Sequence, residues 1–118
     1  MGGTEPLISD AVEANGILFL SGRADVDPAT LQLRSDDFTS QARGVLADIE
    51  RVLEEGGSSL AQVLRVECYL ANASDFAAWN TVFAETFQPP RPARTTLVAG
   101  FALPGMLIEI QVTAAVGR

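Results

Sequence analysis

The sequence predicts an α+β domain, a mixed β-sheet with two helices on one face. Three observations carry this. Residues 36–55 place apolar side chains at helical spacing, residues 63–71 alternate apolar and polar side chains, and the elements follow the order β-β-α-β-α-β-β. At 118 residues the chain has the length of one domain, and a single unit over residues 1–118 is expected.

Taken in order, residues 7–12 and 17–21 are short apolar runs separated by Asn15-Gly16. That dipeptide marks a hairpin, because both residues tolerate positive φ. Residues 22–35, with Asp27-Pro28, read as a loop with room for one more short strand. The first helix starts at Asp36 or Asp37 and ends before Gly56-Gly57. Phe38, Ala42, Val45, Leu46, Ile49, Val52 and Leu53 form its stripe, and Arg43, Glu50, Arg51 and Glu54 form a solvated face.

The strand over 63–71 should turn Leu64, Val66, Cys68 and Leu70 to one side and Arg65, Glu67 and Tyr69 to the other. Ser74 or Asp75 opens a second helix with Phe76, Trp79, Phe83 and Phe87 inward, and Pro89-Pro90-Arg91-Pro92 ends it. Residues 94–100 and 106–116 are the final strands, joined by a turn at Leu103-Pro104-Gly105. In the last strand Ile108, Ile110, Val112, Ala114 and Val116 make one apolar face, and the opposite face is mixed. Two helices cannot cover both faces of such a sheet, so the second face is expected to meet another copy of the chain.

Composition narrows the chemistry. Lys+Arg total 8 against 15 Asp+Glu, a net charge of -7, and every base is arginine. The absence of lysine and histidine removes Schiff-base catalysis, imidazole general bases, Ser-His-Asp nucleophiles and histidine metal sites. The negative balance opposes a phosphate backbone, so no nucleic acid is expected. The start Met1-Gly2-Gly3-Thr4-Glu5 has no signal-peptide pattern, and no segment is apolar enough to span a bilayer. A cytoplasmic protein without membrane contact, metal or cofactor is expected.

Two charged residues stand out. Arg94 opens a strand after the proline-rich loop, and Glu109 lies mid-strand between Ile108 and Ile110. If the last two strands pair across their turn, the two residues could form a structural salt bridge. Alternatively, arginine is the preferred partner of a substrate carboxylate, and a half-buried glutamate can hold a water or exchange protons. Cys68 reads as a small core residue, Trp79 and the helix phenylalanines as core, and Asp25 and Asp27 as solvated loop acids.

From Asn15-Gly16 onward the chain resembles the RidA (YjgF/YER057c/UK114) family of reactive-intermediate deaminases. The matching segments are Ile17-Leu18-Phe19-Leu20-Ser21-Gly22, Asp27-Pro28, Gln41-Ala42-Arg43-Gly44-Val45-Leu46-Ala47-Asp48-Ile49 and Asp75-Phe76-Ala77-Ala78-Trp79-Asn80. The most specific are Pro92-Ala93-Arg94-Thr95-Thr96-Leu97 and Leu103-Pro104-Gly105-Met106-Leu107-Ile108-Glu109-Ile110.

The resemblance implies a chorismate-mutase-like fold, a homotrimer with sites between subunits, and hydrolysis of enamines and imines such as 2-aminoacrylate to 2-keto acids and ammonia. It implies that Arg94 grips the substrate carboxylate and Glu109 holds the attacking water. Gly22 and Thr96 would contact the ligand through backbone groups, and Phe76 and Asn80 would line the cleft. Departures are Ile8 where the family often carries tyrosine, Arg23 for a glutamine, Thr96 for a frequent cysteine and Gln111 for a frequent acid. The alternatives are a non-catalytic small-carboxylate-binding trimer using the same arginine, deamination of another enamine acid, and a ribonuclease, an activity assigned to some relatives but opposed here by the charge and by the absence of lysine and histidine.

Overall fold

A computed structural model of the chain describes residues 7–117, so the reading of Met1-Gly2-Gly3-Thr4-Glu5 lies outside the described residues. Five strands form one sheet: β1 (Ala11–Ala14), β2 (Ile17–Leu20), β3 (Val63–Leu70), β4 (Ala93–Val98) and β5 (Ile108–Ala115). Helices α1 (Phe38–Glu55) and α2 (Phe76–Thr86) cover one face. The strand order is β1-β2-β5-β3-β4, with β3 and β4 parallel and the other pairs antiparallel.

The β1–β2 hairpin turns on Asn15 and Gly16, at φ 53° and 78°, which places both in the left-handed region a two-residue turn requires. The first strand is Ala11–Ala14 rather than 7–12, because pairing to β2 grows outward from the turn. Asp37 caps α1, its carboxylate accepting the Ser40 N–H at 2.9 Å. That bond holds the Asp37 carboxyl below its ordinary range.

The expected stripe of α1 is buried throughout, and Gln41 is buried with it. Gln41 was not anticipated as a core residue. Its Nε2 donates to Ser35 O and Gly105 O, and its Oε1 accepts from Leu107 N at 2.9 Å. The side chain therefore clips the segment before β5 to the helix.

Three other expectations are corrected. Leu64 is 43% exposed, because a bulge between Val63 and Arg65 turns it out and puts Val63 in the core instead. Phe76 is 45% exposed rather than inward, since α2 begins there at the rim of the sheet. Asp25 is buried rather than solvated. It pairs with Arg34 at 3.1 Å and lies so close to α1 that a Cβ on Gly44 would strike its carboxylate.

The final two strands do not pair with each other. The connection β3–α2–β4 makes the parallel neighbour a crossover helix demands, and β5 inserts between β2 and β3. The core lies between helices and sheet, around Trp79, Ile49, Leu53, Leu70, Ile108 and Ile110. Among the described residues no helix is long and apolar enough to cross a membrane.

Candidate functional site

Register assigns every strand residue to a face, since directly paired residues share one. Arg94 pairs with Val66 and Thr96 with Cys68, so both lie on the helix-covered face, at the β4 edge. Glu109 pairs with Tyr69, on the open face. Within one chain the two charged candidates therefore stand on opposite sides of the sheet with β3 between them. The salt bridge across a final hairpin does not form, because that hairpin does not exist.

The Arg94 half rests on α2. Its guanidinium carbon lies 4.7 Å from the Phe83 ring centroid and 5.6 Å from that of Phe76, cation–π distances that fix the fork without neutralising it. Phe76, Asn80 and Phe83 share one side of α2 at one-turn spacing, with Asn80 exposed. Arg23, Arg34, Arg43, Arg51 and Arg65 form ion pairs, and Arg91 donates to Phe87 O. Arg94 is the one arginine among the described residues with neither an ion pair nor a side-chain hydrogen bond.

Behind Arg94 sits Cys68, buried, its Sγ accepting the Trp79 indole N–H at 3.0 Å and lying 3.1 Å from Thr96 Oγ1. Burial pushes the thiol pKa up, against the hydrogen bonds and the nearby Arg94 charge. It is a packed structural group, as its alternation suggested, and it fixes the strand carrying Thr96.

The Glu109 half is built by the loop after β2. Arg23 and Ile110 exchange backbone hydrogen bonds of 2.9 Å, which extends pairing past β2 and draws Gly22 over Glu109. The Glu109 carboxylate fills the space a Cβ on Gly22 would need, so a larger residue there would have to displace the Glu109 side chain. Arg23 is ion-paired within the chain. Its Nε bonds Asp48 at 2.6 Å and its Nη1 bonds Asp10 at 3.0 Å. Burial works against both charges, but these bonds raise the Arg23 pKa, and bonds from Arg51 and Arg23 bring the Asp48 carboxyl below its ordinary range.

The chain thus presents two candidate groups on opposite faces of the sheet. One is an uncompensated guanidinium on an aromatic platform, beside Asn80 and Thr96. The other is a half-buried carboxylate against the Gly22 backbone.

Residues 4–116 match the model of the endoribonuclease L-PSP family. A RutC family protein of Pyrococcus horikoshii is 38% identical over 90% of this chain and 84% of its own. Among solved structures, a YjgF-family member from Neisseria meningitidis superposes with TM-score 0.86 at 37% identity, covering 98% of this chain and 92% of that one. RidA from the Antarctic bacterium Psychrobacter sp. superposes with TM-score 0.86 at 31% identity, covering 97% and 92%.

Proposed function

The chain belongs to the endoribonuclease L-PSP (RidA/YjgF) family, and from that premise we propose that it hydrolyses reactive enamines and imines of 2-amino acids to 2-keto acids and ammonia. The observation that carries the reading is the lone Arg94 guanidinium, oriented by Phe76 and Phe83 and left without an acid. A planar fork in that state is suited to a carboxylate, which takes two parallel hydrogen bonds from it.

The opposite-face placement of Arg94 and Glu109 supports a site shared between two copies. The half-buried open face of one chain would bring Glu109 and Gly22 to the Arg94 edge of the next. A homotrimer is the assembly we propose, closed head to tail so that each contact forms one site.

In that site Arg94 holds the substrate carboxylate, and Glu109 orients a water. The water oxygen bonds to the imine carbon as the C=N double bond opens and nitrogen takes a proton. The hydroxyl proton of the resulting carbinolamine passes to nitrogen, the C–N bond breaks, and ammonia leaves with the keto acid behind. Glu109 can accept the proton of the water and return it to nitrogen. An enamine enters the same path once its carbon is protonated to the imine. The imine is already electrophilic, so positioning and one proton relay suffice.

The test generates imines in situ with an amino-acid oxidase and traps the untouched fraction with semicarbazide. Keto-acid release faster than in buffer, abolished in Arg94→Ala, is the expected result. No acceleration with any amino acid, while a keto acid still binds, would favour the carboxylate-binding reading.

A further inference from the structure

The proline loop after α2 faces the start of β3 across a cavity of about 290 Å³, walled by Leu60, Val63, Phe87, Pro89, Pro90 and Pro92. An adjoining hollow of about 330 Å³ shares Val63, Pro90 and Pro92 with it and adds Gln62 and Arg91. Together they make a groove that is apolar at one end and polar at the other. Neither Arg94 nor Glu109 lines it. We propose that this groove binds an aromatic monocarboxylate, with the ring against Phe87 and the prolines and the carboxylate on Arg91 and Gln62. The inference stands apart from the deaminase reading.

The polar end lacks an acceptor. Gln62 Nε2 is buried and has no hydrogen-bond partner among the described residues, while Oε1 of the same amide accepts from Ser59 Oγ at 3.0 Å. A buried donor left unmet is costly until an acceptor arrives. Arg91 Nε donates to Phe87 O at 2.8 Å, which caps a carbonyl at the end of α2 and fixes the guanidinium. Both Nη groups of Arg91 are left without a partner among the described residues, and no acid pairs with it.

Charge and shape narrow the ligand. In a chain of net charge -7, the one charged residue of this lining is a cation, and no carboxylate stands beside it. One guanidinium and one amide donor match the two oxygens of a carboxylate. At the other end the prolines carry no N–H, so they offer rigid hydrocarbon faces beside the Phe87 ring. A flat ring covers such walls and gives up less conformational freedom on binding than a flexible chain of equal area.

The experiment titrates phenylacetate, acetate and phenylacetamide by calorimetry into the Arg94→Ala protein, so that the other unpaired guanidinium takes no part. Phenylacetate should bind with a Kd of about 1 mM or tighter, about tenfold or more tighter than either control. In the same background Gln62→Glu keeps the size and the Ser59 bond but sets a carboxylate against the ligand, and Arg91→Leu removes the charge. Each should weaken phenylacetate about tenfold or more, with folding checked by thermal melting. If Arg91→Leu does not fold, Gln62→Glu decides alone. No saturable binding of phenylacetate overturns the site. So does acetate or phenylacetamide binding equally well, or an affinity unchanged in either folded variant.

Discussion

The two faces of the sheet are built from the same strands and obey different rules. Under the helices, Val66, Cys68, Leu70, Ile108, Ile110 and Val112 are almost fully buried, and Trp79 finds a sulfur acceptor for its one polar hydrogen. On the open face the neighbouring positions are Arg65, Glu67, Tyr69, Glu109, Gln111 and Thr113, none of them sealed in the single chain. The covered face is where stability resides. The open face and the β4 edge, where Arg94 emerges, leave charged side chains unsealed in the single chain.

That contrast is breakable. Truncating the covered face at Trp79→Ala should cost about 3–5 kcal/mol of folding stability, read by chemical denaturation. A loss below about 1 kcal/mol would mean that the helices do not rely on this face.

On the open face Glu109→Gln keeps size and shape, so the melting temperature should stay within a few degrees while kcat for imine hydrolysis falls about 100-fold or more. An unchanged kcat would remove Glu109 from the proposed chemistry. At the edge, Arg94→Lys keeps the charge and loses the fork, and kcat/KM should drop about tenfold to 100-fold with folding unaffected.

Because the two groups lie on opposite faces, two inactive variants can repair each other. Mixed in equal amounts and reassembled, Arg94→Ala and Glu109→Gln should regain about a quarter of wild-type activity, the outcome expected of the proposed site with one residue from each of two neighbours. No recovery on mixing, with subunit exchange verified by mass spectrometry, would place both residues in a single-chain site.

The smallest effect concerns the Arg23–Asp48–Arg51 cluster. Asp48 has a folded-state pKa below its unfolded value of about 3.9, so its contribution is complete above that pH and is lost as pH falls through the lowered folded value. Asp48→Asn should therefore flatten the acid limb of the melting-temperature profile below about pH 4 and lower stability slightly at neutral pH. An identical acid limb in both proteins would show that the Arg23–Asp48–Arg51 cluster is energetically silent.

Much of this was legible in the residues themselves. The stripe of α1, its Asp37 cap, the Asn15-Gly16 turn and the alternation of β3 after its bulge are local patterns, fixed by backbone period and by residues that tolerate particular φ. Arg94 and Glu109 stood out for the same reason, as charges where the period called for sheet positions. The roles proposed for them rest on family resemblance.

Tertiary structure decided what local period cannot carry. Strand order is one such matter, because adjacency in a sheet depends on where the crossover helices set each strand down, and β5 joined β2 and β3 instead of β4. The burial of Asp25 against Gly44 and the clip made by Gln41 are others, since a polar side chain enters a core only when distant groups arrive to satisfy it. The sequence determined which residues could do chemistry. Only the sheet's pairing placed Arg94 and Glu109 on opposite faces, because register between distant strands is set by the packing of the whole chain.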